Sequence, residues 1–364
     1  MDPLAENPSD PPSRWFETSS KVGPLPAELD SAEPVLDLRE LLHVDDGDMY
    51  YFIQFCSGPE CSGDLADCIE TLTSQHGIKI RALRIDPLAQ FHAGTTCRGD
   101  LLSTSCGLLL LDLIHNKRVI GGFGSPPRST VSAARHVPLV GRGGPRPLRS
   151  RDQPWDPLQY CTDKEKHAVN IGNALFLICI GLLGEIAFQG GWVGLEHPAD
   201  RMREPFTSFF HTPEVKLFKQ VFGMAYYVSH QCRFGADSTK PTGLLLPFGC
   251  GAIQKFCNHR WGHDPLIGRL PDGNCKTTPA ARYPKEFCQS ISRLFVSRLV
   301  EIRKRGYIFP FAPHRTADCS AYEPWSQSVD VRWGWPEPRP AFLTGELEAI
   351  NSFKIFGGHQ SAQQ

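Results

Sequence analysis

Long uninterrupted apolar runs, a strong net charge and a regular cysteine spacing are all missing from this 364-residue chain. A formal charge of −1 excludes a protein that coats nucleic acid along its whole length and leaves room only for a local basic face. The thirteen cysteines are odd in number and scattered, and no charged segment leading into an apolar one opens the sequence. A disulfide framework is therefore not expected, and a reducing intracellular compartment suits the thiols better. The most apolar stretch, Ile171 to Phe188, contains Asn173 and Glu185 and too short an unbroken run to span a bilayer, so it reads as a buried helix with no membrane partner. No internal repeat is present.

The charge is unevenly distributed. Before Met49, twelve Asp or Glu residues stand against three Lys or Arg among many Pro and Ser, a composition that buries too little apolar surface to order itself. Residues 1–48 are expected to be a solvated acidic arm, 49–305 one domain, and 306–364 an irregular tail carrying Trp325, Trp333 and Trp335 among prolines.

Inside 49–305, β-prone runs alternate with helical patterns. Tyr50 to Phe55 reads as a strand, Cys56 to Gly63 as a tight turn, and Leu65, Ile69 and Leu72 as one face of a helix. Ile78 to Ile85 is a second strand ending at Asp86, Gly107 to Ile114 is ambiguous between strand and helix, and Arg118 to Phe123 is a buried strand. Lys164 to Gln189 is a long helix, Trp192 to Glu196 a strand, Val215 to Phe222 a helix before the apolar run Met224 to Val228, and Pro284 to Arg305 the final helix. Such alternation implies an α/β fold: a mostly parallel sheet with helices on both faces and ligands beyond the carboxyl ends of the strands.

Several features along this frame bear on chemistry. The turn holding Cys56, Ser57, Gly58 and Gly63 sits between strand and helix, where backbone N–H groups can meet a polar ligand; equally, it can simply close a βα connection. Asp86 stands where a carboxylate accepts from ribose hydroxyls, and Asp100 could accept from an adenine amino group; either is also an ordinary loop acid or helix cap.

In order and spacing these features resemble the S-adenosylmethionine-dependent cytosine-5 DNA methyltransferases. The resemblance rests on Phe52 to Gly63, Asp86, Gly99-Asp100-Leu101, Gly121 to Ser132 with its Pro126-Pro127 pair, and Leu195 to Pro198. It implies a Rossmann-like methyltransferase domain with Cys56, Ser57, Gly58, Asp86, Asp100 and Pro126 around S-adenosylmethionine, and with Glu196 supporting the base. Where that family ends its Gly-Gly-Pro-Pro strand with the attacking cysteine, this chain has Arg128, and His197-Pro198 replaces the family's Asn-Val. The chain is also similar to methylase-like proteins of protist mobile elements, on Ser132 to Arg135, Glu196 to Pro198, Lys240 to Thr242 and Tyr283-Pro284. A nuclear location follows only from these resemblances.

A protonated guanidinium is no nucleophile, so Arg128 is incompatible with the family's covalent route, although it could clamp a phosphate. From Lys117 to Arg151 there are eight Lys or Arg and no acid, including Arg135, Arg142, Arg146, Arg149 and Arg151. They read either as a DNA or RNA phosphate track or as the charges of a solvated loop spanning Gly124 to Trp155, a connection too long to be ordinary. Cys250, Cys257, His259, His263 and Cys275 have the residue types of a zinc site, but their irregular spacing favours scattered buried thiols and polar side chains, and no metal is expected. Gln231, Arg233 and Lys240 before Pro241-Thr242 read as a substrate contact or a surface turn. Two functions remain open: a methyltransferase-like protein with Arg128 and Glu196 at its centre and no cytosine-5 activity, or a non-catalytic nucleic-acid-binding protein.

Overall fold

The computed structural model describes residues 49–305 apart from 59, 87–95, 98, 100, 103, 137–144, 261, 264–265, 267–275 and 278. The acidic arm and the tail lie outside the described residues, as do Asp100, Arg142 and Cys275.

The described residues form an α/β layer structure around one seven-stranded mixed sheet of order β3-β2-β1-β4-β5-β7-β6. The strands are β1 (Tyr50–Phe55), β2 (Ile80–Ile85), β3 (Thr96–Cys97), β4 (Val119–Gly124), β5 (Trp192–Pro198), β6 (Met224–His230) and β7 (Pro241–Pro247). The helices are α1 (Leu65–Gln75), α2 (Thr104–His115), α3 (Asp163–Phe188), α4 (Pro213–Val221) and α5 (Lys285–Lys304). β1 pairs in parallel with β2 and β4, β2 with β3, and β4 with β5, whereas β7 runs antiparallel to both β5 and β6.

The reversed β7 departs from the parallel pairing that strand and helix alternation implies. Only residues 231–240 separate β6 from β7. A parallel return needs a crossover of a dozen or more residues, usually through a helix, so the shorter link returns antiparallel. Pro241-Thr242, which follows Lys240, begins this inner strand. The ambiguous Gly107 to Ile114 run falls within helix α2.

Local signals set the helix starts. Asp64 caps α1 by accepting from Asp67 N–H. Thr162 and Glu165 cap α3 reciprocally, and Thr212 caps α4 with Pro213 in its first turn. One core joins α2, α3 and α4 to the sheet, and a second joins α1 and α5 to it, so helices cover both faces.

Helix α3 is long and apolar enough by composition to cross a membrane, more so than its Asn173 and Glu185 suggested, but 78% of its apolar window is buried within the protein. The core helix of a globular domain has the same composition.

The glycines of β4 serve packing. A Cβ at Gly121 would stand 2.6 Å from the Phe295 ring, and one at Gly122 would stand 2.7 Å from Ile186 Cδ1. Gly124 leaves room for Cys179 of α3. Helices on both faces thus approach this central strand more closely than side chains on it would allow.

Candidate functional site

The strand order reverses direction between β1 and β4, so their carboxyl ends open the crevice where a doubly wound sheet places ligands. Two groups of polar residues line this rim.

The first closes the β1 turn. Cys56 has φ +54° and Gly58 φ +72°, a left-handed path that costs glycine little but strains a side-chain-bearing residue. Cys56 N–H donates to the Ile85 carbonyl at 2.9 Å, and Gly58 N–H donates to Asp86 Oδ2 at 2.7 Å. Asp86 is buried, so the acid at the end of β2 clasps the glycine turn of β1 directly. Ser57 Oγ donates to the Gly58 carbonyl at 3.1 Å.

The amino end of α1 beyond this turn is already charge-compensated. Gly63 N–H donates to Asp67 Oδ2 at 2.9 Å, and Asp67 N–H donates to Asp64 Oδ1 at 3.0 Å. Buried Arg84 of β2 grips Asp64 through Nε and Nη2, both at 2.8 Å, and reaches Asp67 Oδ1 at 2.6 Å. Burial opposes the Arg84 charge, but the Asp64 carboxylate more than offsets it and holds the guanidinium protonated.

The second group is centred on Glu196 of β5, which is 2% exposed. Arg128, on the turn after β4, donates from Nη1 to Glu196 Oε1 at 3.3 Å and from Nη2 to the Ala281 carbonyl at 3.4 Å. Tyr283, just before α5, donates its hydroxyl to Glu196 Oε2 at 2.6 Å. Burial and the Glu196 carboxylate raise the Tyr283 phenol well above its usual pKa, so it remains a donor. Lys240 Nζ lies 5.3 Å from the centre of the Tyr283 ring, in cation–π range. The resemblance to mobile-element proteins singles out Lys240 and Tyr283 without giving them a role; the structure sets Tyr283 on Glu196 and Lys240 over the Tyr283 ring. Pro126 is buried on the same turn.

His197 points to the other face of β5, within 5.4 Å of the Phe176 ring and 5.3 Å of the Phe209 ring. Neither of its nitrogens makes a hydrogen bond of normal geometry, although the nearby Pro127 carbonyl weakly favours a proton. Burial first, then Arg128, lowers its pKa to about 3.

The basic loop is organised by internal pairing. Arg149 is 1% exposed and donates to Thr130 Oγ1, Asn173 Oδ1 and the carbonyls of Pro154 and Val169, tying the loop to α3. Burial lowers its pKa to about 9, with Arg135 adding to the effect. Arg151 bonds Asp200, His211 and the Phe206 carbonyl; Arg146 forms a two-pronged pair with Glu165; Arg135 reaches the Ser129 and Arg146 carbonyls. Trp155 stacks on Phe209 at 4.5 Å and donates to Glu214, anchoring the loop in the core.

Cysteine and histidine are arranged differently from the sequence reading. Cys250 is buried in the core on the α5 side, whereas Cys257, His259 and His263 meet Cys232, which sequence inspection had passed over. Gln231 donates from Nε2 to Thr242 Oγ1 at 2.9 Å, while Arg233 pairs with Asn258. The described cysteines are all free thiols.

No protein-family model matches the chain, and no curated protein matches it.

Proposed function

We propose that residues 49–305 form a Rossmann-like, S-adenosylmethionine-binding methyltransferase domain of cytosine-methylase ancestry that does not methylate cytosine at carbon 5. The observation that carries this reading is the chemistry of the rim between β1 and β4. Dinucleotide sites set a pyrophosphate against open N–H groups at the first helix N-terminus. Here the Asp64 and Asp67 carboxylates, paired with Arg84, take up the N–H groups at that end of α1, which disfavours a phosphate by lack of donors. S-adenosylmethionine has no phosphate. It offers ribose hydroxyls to a carboxylate such as Asp86, and its sulfonium needs no anion-binding N–H groups.

The order 3-2-1-4-5-7-6 supports the same reading, because it is the doubly wound 3-2-1-4-5-6 order with β7 inserted. On this reading Cys56, Ser57, Gly58, Asp86 and Pro126 border the cofactor, while Arg128, Glu196 and Tyr283 form the wall facing the substrate.

Arg128 excludes covalent attack on a pyrimidine, and its pairing with Glu196 engages the acid that would otherwise support the base. Direct methyl transfer to an amine or oxygen needs no enzyme nucleophile, and on this reading Glu196 is the candidate base. The alternative, nucleic-acid binding without chemistry, draws no support from the loop arginines in their internal pairs.

Calorimetric titration of the full chain with S-adenosylmethionine tests the proposal. Saturable binding near one equivalent is expected, with at least tenfold weaker affinity in Asp86→Ala and no comparable binding of a nicotinamide dinucleotide. A folded protein that ignores S-adenosylmethionine, or prefers the dinucleotide, would overturn it.

A further inference from the structure

Residues 231–234 form a short helical turn just after β6, and residues 254–260 run past the same end of that strand. Two hydrogen bonds tie the second segment to the last residue of β6: His230 N–H donates to the Lys255 carbonyl at 2.8 Å, and Cys257 N–H donates to His230 Nδ1 at 3.0 Å. Four metal-ligating side chains converge in the angle between the segments. Their ligand atoms, Sγ of Cys232 and Cys257 and one ring nitrogen each of His259 and His263, all lie within 4.8 Å of one another.

We infer that Cys232, Cys257, His259 and His263 bind one zinc ion in a closed, structural Cys2His2 site. Zinc–sulfur bonds of ~2.3 Å and zinc–nitrogen bonds of ~2.0–2.1 Å, set at tetrahedral angles, place ligand atoms roughly 3.3–3.8 Å apart. Cys257 Sγ lies 3.4 Å from His259 Nδ1 and 3.3 Å from His263 Nε2, and the two ring nitrogens are 3.0 Å apart. These distances are within a few tenths of an ångström of the tetrahedral values.

The outer contacts fit as well. The far nitrogen of His263, Nδ1, meets the Asp237 carbonyl at 2.8 Å, the kind of partner that fixes the tautomer of a metal-bound imidazole and leaves Nε2 for the ion. His259 and His263 have the His-x3-His separation common in structural zinc sites, while the two cysteines come from opposite sides of β7. Four protein ligands leave no open position, which makes the site a staple rather than a catalytic centre.

The staple would pin residues 254–260 beside the end of β6, the edge strand, and fix one end of the 231–240 connection. The other end of that connection carries Lys240 to Tyr283. The site does not depend on the cofactor assignment.

Elemental analysis of the purified full chain tests the inference, with cobalt(II) substitution as a second measurement that needs no variant. Close to one zinc per chain is expected, falling at least tenfold in the Cys257→Ser/His263→Ala double variant and unchanged in Cys250→Ser. Cobalt loading should give the intense visible bands of a tetrahedral centre and a thiolate charge-transfer band. Wild-type protein that is folded, metal-free and without those bands on titration would overturn the inference. So would zinc retained by the double variant.

Discussion

Glu196 and His197 are neighbours on β5, yet they point to opposite faces of the sheet and meet opposite chemistry. Glu196 shares its charge with Arg128 and a phenol, whereas His197 is sealed among phenylalanines. The folded protein keeps the His197 imidazole neutral down to about pH 3, while an unfolded imidazole gains its proton near 6.5. The stability that neutral His197 permits is therefore complete above about pH 6.5 and is lost as pH falls toward 3, by about 1.4 kcal/mol per unit in between. His197→Leu should change stability at pH 8 by less than about 1.5 kcal/mol and should flatten this acid limb by one proton in urea unfolding. Other titrating groups contribute equally to both proteins, so parallel acid limbs in variant and wild type would refute the neutral, buried histidine. The sequence marked Glu196 through its resemblance and left His197 as a mere departure from Asn-Val, because the aromatic nest comes from α3 and from residues 209 and 210.

Among the elements, β4 makes the most demanding contacts, and Gly124 shows it best. An added Cβ there would overlap Cys179 Sγ and lie 3.0 Å from Leu183 Cδ1 of α3. Gly124→Ala should cost about 1–3 kcal/mol through overpacking, and Cys179→Ala should relieve part of it. The double variant is then expected to be more stable than the summed single effects by about 1 kcal/mol, measured as a double-mutant cycle in denaturant. Simple additivity would mean that α3 shifts away rather than clashing. This strand, like β1, β2 and the long helices, was legible in the sequence because local pattern and burial coincide in it. In the antiparallel part β6 shows as the apolar run Met224 to Val228, but β7 was not legible, since its pairing with β5 depends on partners far away in sequence. For the same reason Arg149 read as a nucleic-acid phosphate contact or a solvated loop charge until Thr130 and Asn173 closed around it, and Cys232 escaped notice 25 positions before Cys257.

Across the whole molecule, one sheet separates two apolar layers that share its strands. Phe123 and Trp192 side chains belong to the layer under α5, and Val193 and Leu195 to the layer under α3, so β4 and β5 join both. Phe295 of α5 is fully buried, with its ring 4.9 Å from Phe52 and 5.7 Å from Trp192. Phe295→Ala should remove about 3–5 kcal/mol through lost burial and the cavity left behind. If the sheet couples the layers, amide exchange in α3 on the opposite face should quicken by the same factor as in α5, because both open only with the central strands. Exchange that rises in α5 alone would instead make α1 and α5 a separately opening unit, with the Arg128–Glu196–Tyr283 cluster at its boundary. Tyr283 would then leave Glu196 whenever α5 opened, and the wall of the proposed site would be intermittent rather than fixed. Hydrogen exchange followed by mass spectrometry on wild type and variant separates the two outcomes.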